Sequence, residues 1–209
     1  LLAAAKELGE TPDPRWSDVT NRLPLASFRF GEKCEEIELW KGLVLPESHR
    51  HHSHLAGYVP FDVWDFESDD TMRESTRRSS YRWQQRGMGK WSGWSFGWAA
   101  MIQVCFGQAD AADMTLHLWE RMFTNCGHGS RHDVYYPGLS TMRRDTNMYE
   151  FDVSGDAPGE EIMQIDGAMA CAAAVQEMFV SEHGGVLYAF RGAPERWRNC
   201  SFRDVLSDD

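Results

Sequence analysis

Residues 93–106 carry apolar side chains almost without a break: Trp94, Phe96, Trp98, Ala99, Ala100, Met101, Ile102 and Val104. A helix that is apolar all round is a buried helix, and the pattern predicts one here. Residues 109–125 set Met114, Leu116, Leu118, Trp119, Met122 and Phe123 at helical intervals among polar neighbours, with Gly127 just beyond. That spacing predicts an amphipathic helix with one face on a core. Residues 166–182 are apolar but small, from Ala168, Ala170 and Ala172–Ala174 to Val175, Met178 and Phe179. A helix of this kind lets its neighbours approach closely.

The remaining elements are shorter. Residues 1–8 read as the end of a helix closed by Gly9 and the Pro12-Asp13-Pro14 turn. Residues 16–23 form a helical patch stopped by Pro24, and residues 28–40, which contain Gly31, suit a loop or short hairpin. Residues 49–58 make a compact segment ending at Pro60. Residues 68–85, poor in apolar side chains, predict a helix lying on the surface with Ser68 as its N-cap. Residues 127–161 are long, irregular and rich in Gly, Asp, Tyr and Pro, and loops of that length are usually functional or disordered. Residues 185–190 predict a short strand before a polar tail. Buried and half-exposed helices joined by long loops suit a helical barrel or bundle.

Composition narrows the function. A formal charge of −11 argues against a nucleic-acid surface, which needs clustered Lys and Arg. The one basic stretch, residues 73–86, is interrupted by Glu74 and serines and reads as a solvated helix face. No apolar run is long enough to span a bilayer. Five cysteines without a CxxC pair make a full disulfide framework an unsuitable reading, and Cys105 and Cys171 fall inside apolar helical runs as small core residues. Nine tryptophans are the compositional oddity. Indoles are large core side chains, and they are also platforms for the apolar faces of sugars. The sequence opens Leu1-Leu2-Ala3 without a methionine, so further chain is expected upstream.

Three groupings carry candidate chemistry. In His49-Arg50-His51-His52-Ser53-His54-Leu55, His51 and His54 share a face if the segment is helical. Such imidazoles could bind a transition metal, be satisfied structurally, or contact sugar hydroxyls. In Gln164-Ile165-Asp166-Gly167, Asp166 opens the small-residue helix. It is either a cap or a carboxylate held in a cleft, where a hydrolase would use it on water. In Trp91-Ser92-Gly93-Trp94-Ser95-Phe96-Gly97-Trp98, Trp94 and Trp98 share one face, either in the core or, for Trp94, lining a pocket.

In their order along the chain, the histidine segment, the Gly93-Trp94-Ser95 helix start and Gln164-Ile165-Asp166-Gly167 resemble the catalytic domain of glycoside hydrolase family 95. The resemblance takes in Arg22-Leu23-Pro24, Glu38 and Trp40 ahead of the histidines, and the strand and Trp197 after the last helix. It implies residues 1–185 as part of an (α/α)6 barrel, mainly α, with residues 186–209 starting a β segment. The implied activity is inverting exo-cleavage of a terminal α-L-fucosyl or related sugar, without cofactor or catalytic metal. A glutamic acid protonates the leaving oxygen, and asparagines position water, one of them polarised by the Asp of this motif. Those groups precede the region matched by Leu1, so this chain supplies Asp166, with substrate contacts from His49, His51, His54 and Trp94. The implied partners are the carbohydrate and the remainder of the catalytic domain, with no nucleic acid and no membrane, in a secreted or periplasmic setting. Two departures flank the motif: Glu160-Glu161-Ile162-Met163 replaces a segment with histidine, prolines and an aromatic, and Ala168 replaces Asn. They favour one rival, a catalytically silent carbohydrate-binding relative, and the histidine cluster itself offers another, a metal-dependent enzyme or metal-binding protein.

Overall fold

The computed structural model describes residues 1–64, 69–125, 127–132, 163–183, 185–197 and 199–203. The described residues are mainly helical, with six α-helices and one two-stranded sheet. Ser68, Cys126, most of the 127–161 stretch with its Glu160 and Glu161, and the end of the tail lie outside them.

Helices α1 (Leu2–Glu7) and α2 (Pro14–Arg22) open the chain, the second capped by Asp13, which accepts the Arg15 N–H at 2.9 Å, with Pro14 as its first residue. Proline fits there because that position's N–H has no partner within the helix. Ala5 is the only residue these two helices bury. Residues 28–37 form the expected hairpin-like turn, bridged Phe28 to Ile37 around a 3-10 turn at Arg29–Gly31.

Helix α3 (Asp70–Gln85) is capped by Asp69, whose carboxylate accepts the Met72 N–H at 3.0 Å. The cap expected at Ser68 therefore falls one residue later. Nor does α3 simply lie on the surface. It buries a hydroxyl face of Ser75, Thr76, Ser79 and Ser80 between Met72 and Trp83. The Ser79 hydroxyl accepts the Ile37 N–H at 2.7 Å and donates to the Ser75 carbonyl, also at 2.7 Å, which docks the hairpin on the helix. The buried face is made of polar side chains, so a hydropathy pattern does not reveal it. The arginines of the outer face are paired: Glu74 accepts from Arg77 and Arg78, which hold its carboxyl down at about 2.

Helix α4 (Gly93–Cys105) is the axis of the structure. Ser92 and Ser95 close it in a capping box, and Gly107, at φ +67, turns the chain into α5 (Ala109–Met122). The turn makes α5 antiparallel to α4, with Phe96 against Phe123 at one end and Gln103 accepting from Thr115 at 2.9 Å nearer the other. Helix α6 (Ile165–Phe179) packs on α4 in the same direction. Gly93 faces Gln164 and Gly167, Gly97 faces Ala170, and Val104 shares a cluster with Met178. A Cβ on Gly97 would stand 2.6 Å from the Ala170 Cβ and 2.8 Å from the Ala170 carbonyl carbon, so glycine sets how closely the helices approach.

Among the described residues three apolar clusters form the core, and α4 contributes to each. Trp98, Ile102 and Cys105 join Leu55 and Tyr58, Phe96 and Ala99 join Trp83 and Trp91, and Ala100 and Val104 join Ala174 and Met178. Full burial of one such large side chain stabilises the fold by roughly 1.5–3 kcal/mol.

The helix expected over 166–182 ends early. Helix α6 stops at Phe179, and β1 (Val180–His183) pairs antiparallel with β2 (Val186–Ala189). From Val180 burial alternates residue by residue, the period of a strand. The first strand of the hairpin thus takes up the residues expected to end the helix.

Candidate functional site

The parallel packing of α4 and α6 puts their N-termini side by side, and the histidine segment runs across the same end. Three contacts fix that segment. Trp83 Nε1 donates to the His49 carbonyl at 3.1 Å, the Ser95 hydroxyl donates to the Arg50 carbonyl at 2.7 Å, and the His52 ring is wedged between Trp83 and Trp98, with centroids 3.7 and 3.8 Å away. Burial consequently alternates from His51 to His54: His51 and Ser53 are exposed, His52 and His54 buried. His52 has non-helical backbone angles, and only a 3-10 turn follows at Ser53–Leu55. The helical face expected for His51 and His54 does not form.

His51 and Asp166, more than a hundred residues apart in sequence, both lie toward this end, near enough for the Asp166 charge to bear on the His51 ring. Burial pushes the His51 imidazole below its ordinary value, with Arg50, His49 and His132 acting in the same direction and the Asp166 carboxylate opposing them. His49 lies beside it, ring centroids 5.7 Å apart, and its Nδ1 accepts the His51 backbone N–H at 3.0 Å. Trp94 is half-buried in the first turn of α4, with its ring edge-on to Trp98 at 5.7 Å. The structure thus gathers His49, His51, Trp94 and Asp166 at one end.

His54 stands apart from them. It is 6% exposed, and desolvation beneath the loop, together with the nearby Arg86 charge, pushes its imidazole down to about 4. Asp166 also differs from a simple cap. Helix α6 begins at Ile165, with Gln164 in the N-cap position, and it has no side-chain cap. Asp166 is exposed in the first turn.

Two residues of this end carried no signal of their own. His132 lies close enough to bear on His51, and its carbonyl accepts the Gly93 N–H at 3.2 Å. It sits in the irregular stretch, whose path the sequence pattern does not define. Gln164 belonged to a recognised motif, but nothing in its spacing showed that its amide reaches α4.

Two other chemistries can be weighed. Among the described residues no group of three or more His, Cys, Asp or Glu could hold a metal ion, and the four clustered histidines are split between surface and interior. Cys105 Sγ lies 3.1 Å from His183 Nε2, a spacing suited to a nucleophile and base. Yet Cys105 is 1% exposed, and burial pushes its thiol up to about 12, so it is a packed core thiol with no reactive thiolate.

No curated protein matches this chain. The profile of the glycosyl hydrolase family 95 catalytic domain, however, matches residues 2–179, which takes in the histidine segment, the start of α4 and the Asp166 motif. The chain belongs to the glycosyl hydrolase family 95 catalytic domains, and its substrate class is carbohydrate.

Proposed function

We propose that this domain removes a terminal α-L-fucosyl or related deoxy sugar with inversion of configuration. The observation that supports this best is the approach of the α6 start, which carries Asp166, to the first turn of α4, which holds the segment carrying His51. In this reading Asp166 polarises the amide that positions the attacking water, and a glutamic acid outside these residues protonates the leaving oxygen. His49, His51 and Trp94 line the sugar subsite. His54 supports it from beneath, through the loop that carries His51. No metal or other cofactor takes part.

The same reading makes residues 1–185 part of an (α/α)6 barrel completed by the rest of the catalytic domain, with a β segment following, in a secreted or periplasmic protein. Among the described residues no helix is long and apolar enough to cross a membrane.

Asp166→Asn in the full-length protein tests the catalytic assignment. Turnover of a fucoside should fall on the order of a hundredfold or more, with little change in melting temperature, because Asp166 caps no helix. The anomer first released, read by NMR on the unmutated enzyme, should be inverted. Unchanged turnover in the variant would defeat the assignment. Ala168, in place of the family's Asn beside Asp166, supports a second reading, a silent carbohydrate-binding relative. Sugar binding without turnover in the unmutated protein would favour that one.

A further inference from the structure

Gln164 precedes α6 and is 9% exposed, yet its side chain serves a different helix. Its Oε1 accepts the Trp94 N–H at 2.8 Å. That donor is one of the first four of α4, which no carbonyl of the helix itself can satisfy. The same oxygen would lie 2.8 Å from a Cβ on Gly93 and 3.0 Å from one on Gly167, so the two glycines leave the space that the amide fills. The backbone around it is held too. The Gln164 N–H donates to the Ser130 carbonyl at 3.2 Å, and the Ser130 hydroxyl donates to the Gln164 carbonyl at 2.8 Å.

Ser95, in the same first turn of α4, holds the Arg50 carbonyl and with it the histidine segment. One helical turn therefore grips the strand of chain carrying His51 through Ser95, and the start of α6 through Gln164. A serine or aspartate would be the usual choice to cap α6 itself. Glutamine is longer, and here its reach spans the gap between the helices.

The geometry points to Gln164 as a positioning residue, whose side-chain amide sets Asp166 in register with Trp94 and His51 by capping the neighbouring helix α4. The inference rests on the role given to Asp166 above. Gln164 itself touches no reacting atom in this scheme and acts through the placement of α6. Displacement of a catalytic group by about 1 Å can cost on the order of a hundredfold in rate.

The test compares Gln164→Met, similar in length but without the amide oxygen, with Gln164→Glu, which keeps an acceptor oxygen, both in the full-length enzyme. Turnover is measured per folded molecule, well below each variant's melting temperature. For Gln164→Met kcat should fall roughly ten- to a hundredfold while KM stays nearly unchanged, and Gln164→Glu should recover most of the loss. Added to Asp166→Asn, Gln164→Met should cost little more, because a misplaced group that is already disabled has no further rate to lose. A lowered melting temperature with wild-type kcat in Gln164→Met would overturn the inference, leaving a cap and nothing else. Equal losses in the Met and Glu variants would overturn it as well. Should Gln164→Met fail to fold, Gln164→Asn, the same amide one methylene shorter, carries the same kcat comparison. Wild-type turnover in Asp166→Asn brings down the catalytic reading and this inference together. An inactive Asp166→Asn beside an unaffected Gln164→Met brings down only the inference.

Discussion

Burial holds His54 neutral in the fold, and that has a measurable cost in acid. Its imidazole titrates at about 4 when folded, against an ordinary value of 6.5. Below about pH 6.5 the unfolded chain takes up a proton that the native state refuses until about pH 4. Stability attributable to this residue is therefore full above pH 6.5 and falls as the pH drops toward 4, by on the order of 2–3 kcal/mol. His52, fully buried between two indoles and also pushed well below the ordinary range, adds a loss of the same sign. Urea midpoints at pH 7 and pH 4.5 should separate more for the natural protein than for His54→Gln, which cannot titrate. Equal separations would show that His54 does not couple to folding. This sorting of the histidines was only half legible. The cluster is plain in the sequence, but which rings are buried depends on Trp83 and Trp98, which come from α3 and α4 and have no local spacing relation to it.

Helices with apolar faces were the easiest elements to read. The expected spans for α4, α5 and α6 agree with the observed ones to within a few residues at each end. The misses have physical causes. The fourfold hydroxyl face of α3 gives no hydropathy signal, because its side chains are polar although the fold buries them. The apolar run through Met178 and Phe179 predicts helix where the strand after α6 stands. Only pairing with residues 186–189 makes Val180 onward extended. The close approach of α4 and α6 yields an expectation for Gly97→Ala. Alanine favours a helix interior by up to about 1 kcal/mol over glycine. Here, however, its methyl would meet Ala170 and the backbone of Cys171, at 2.8 Å from the latter's nitrogen. Overpacking against backbone costs about 1–3 kcal/mol, so the variant should be destabilised on balance, as read by its melting temperature. A stabilised variant would mean that the two helices can move apart freely.

At the scale of the whole molecule, the site is made by topology more than by any local motif. Asp166 comes to the end that carries His51 because α4 and α6 run the same way, a direction that sequence periodicity does not specify. The same topology makes α4 common to all three apolar clusters, whereas α1 and α2 together bury only Ala5. Backbone amides of α4 cannot reach solvent by releasing one cluster while the others stay intact. Their hydrogen–deuterium exchange should accordingly proceed only through global opening, with the slowest rates in the chain, and denaturant should accelerate it as steeply as it drives unfolding. The amides of α1 and α2 should exchange by local fraying, nearly independent of denaturant. A helix that supports the site from the centre of the core thus also keeps the first turn beside Asp166 closed on the timescale of the whole fold.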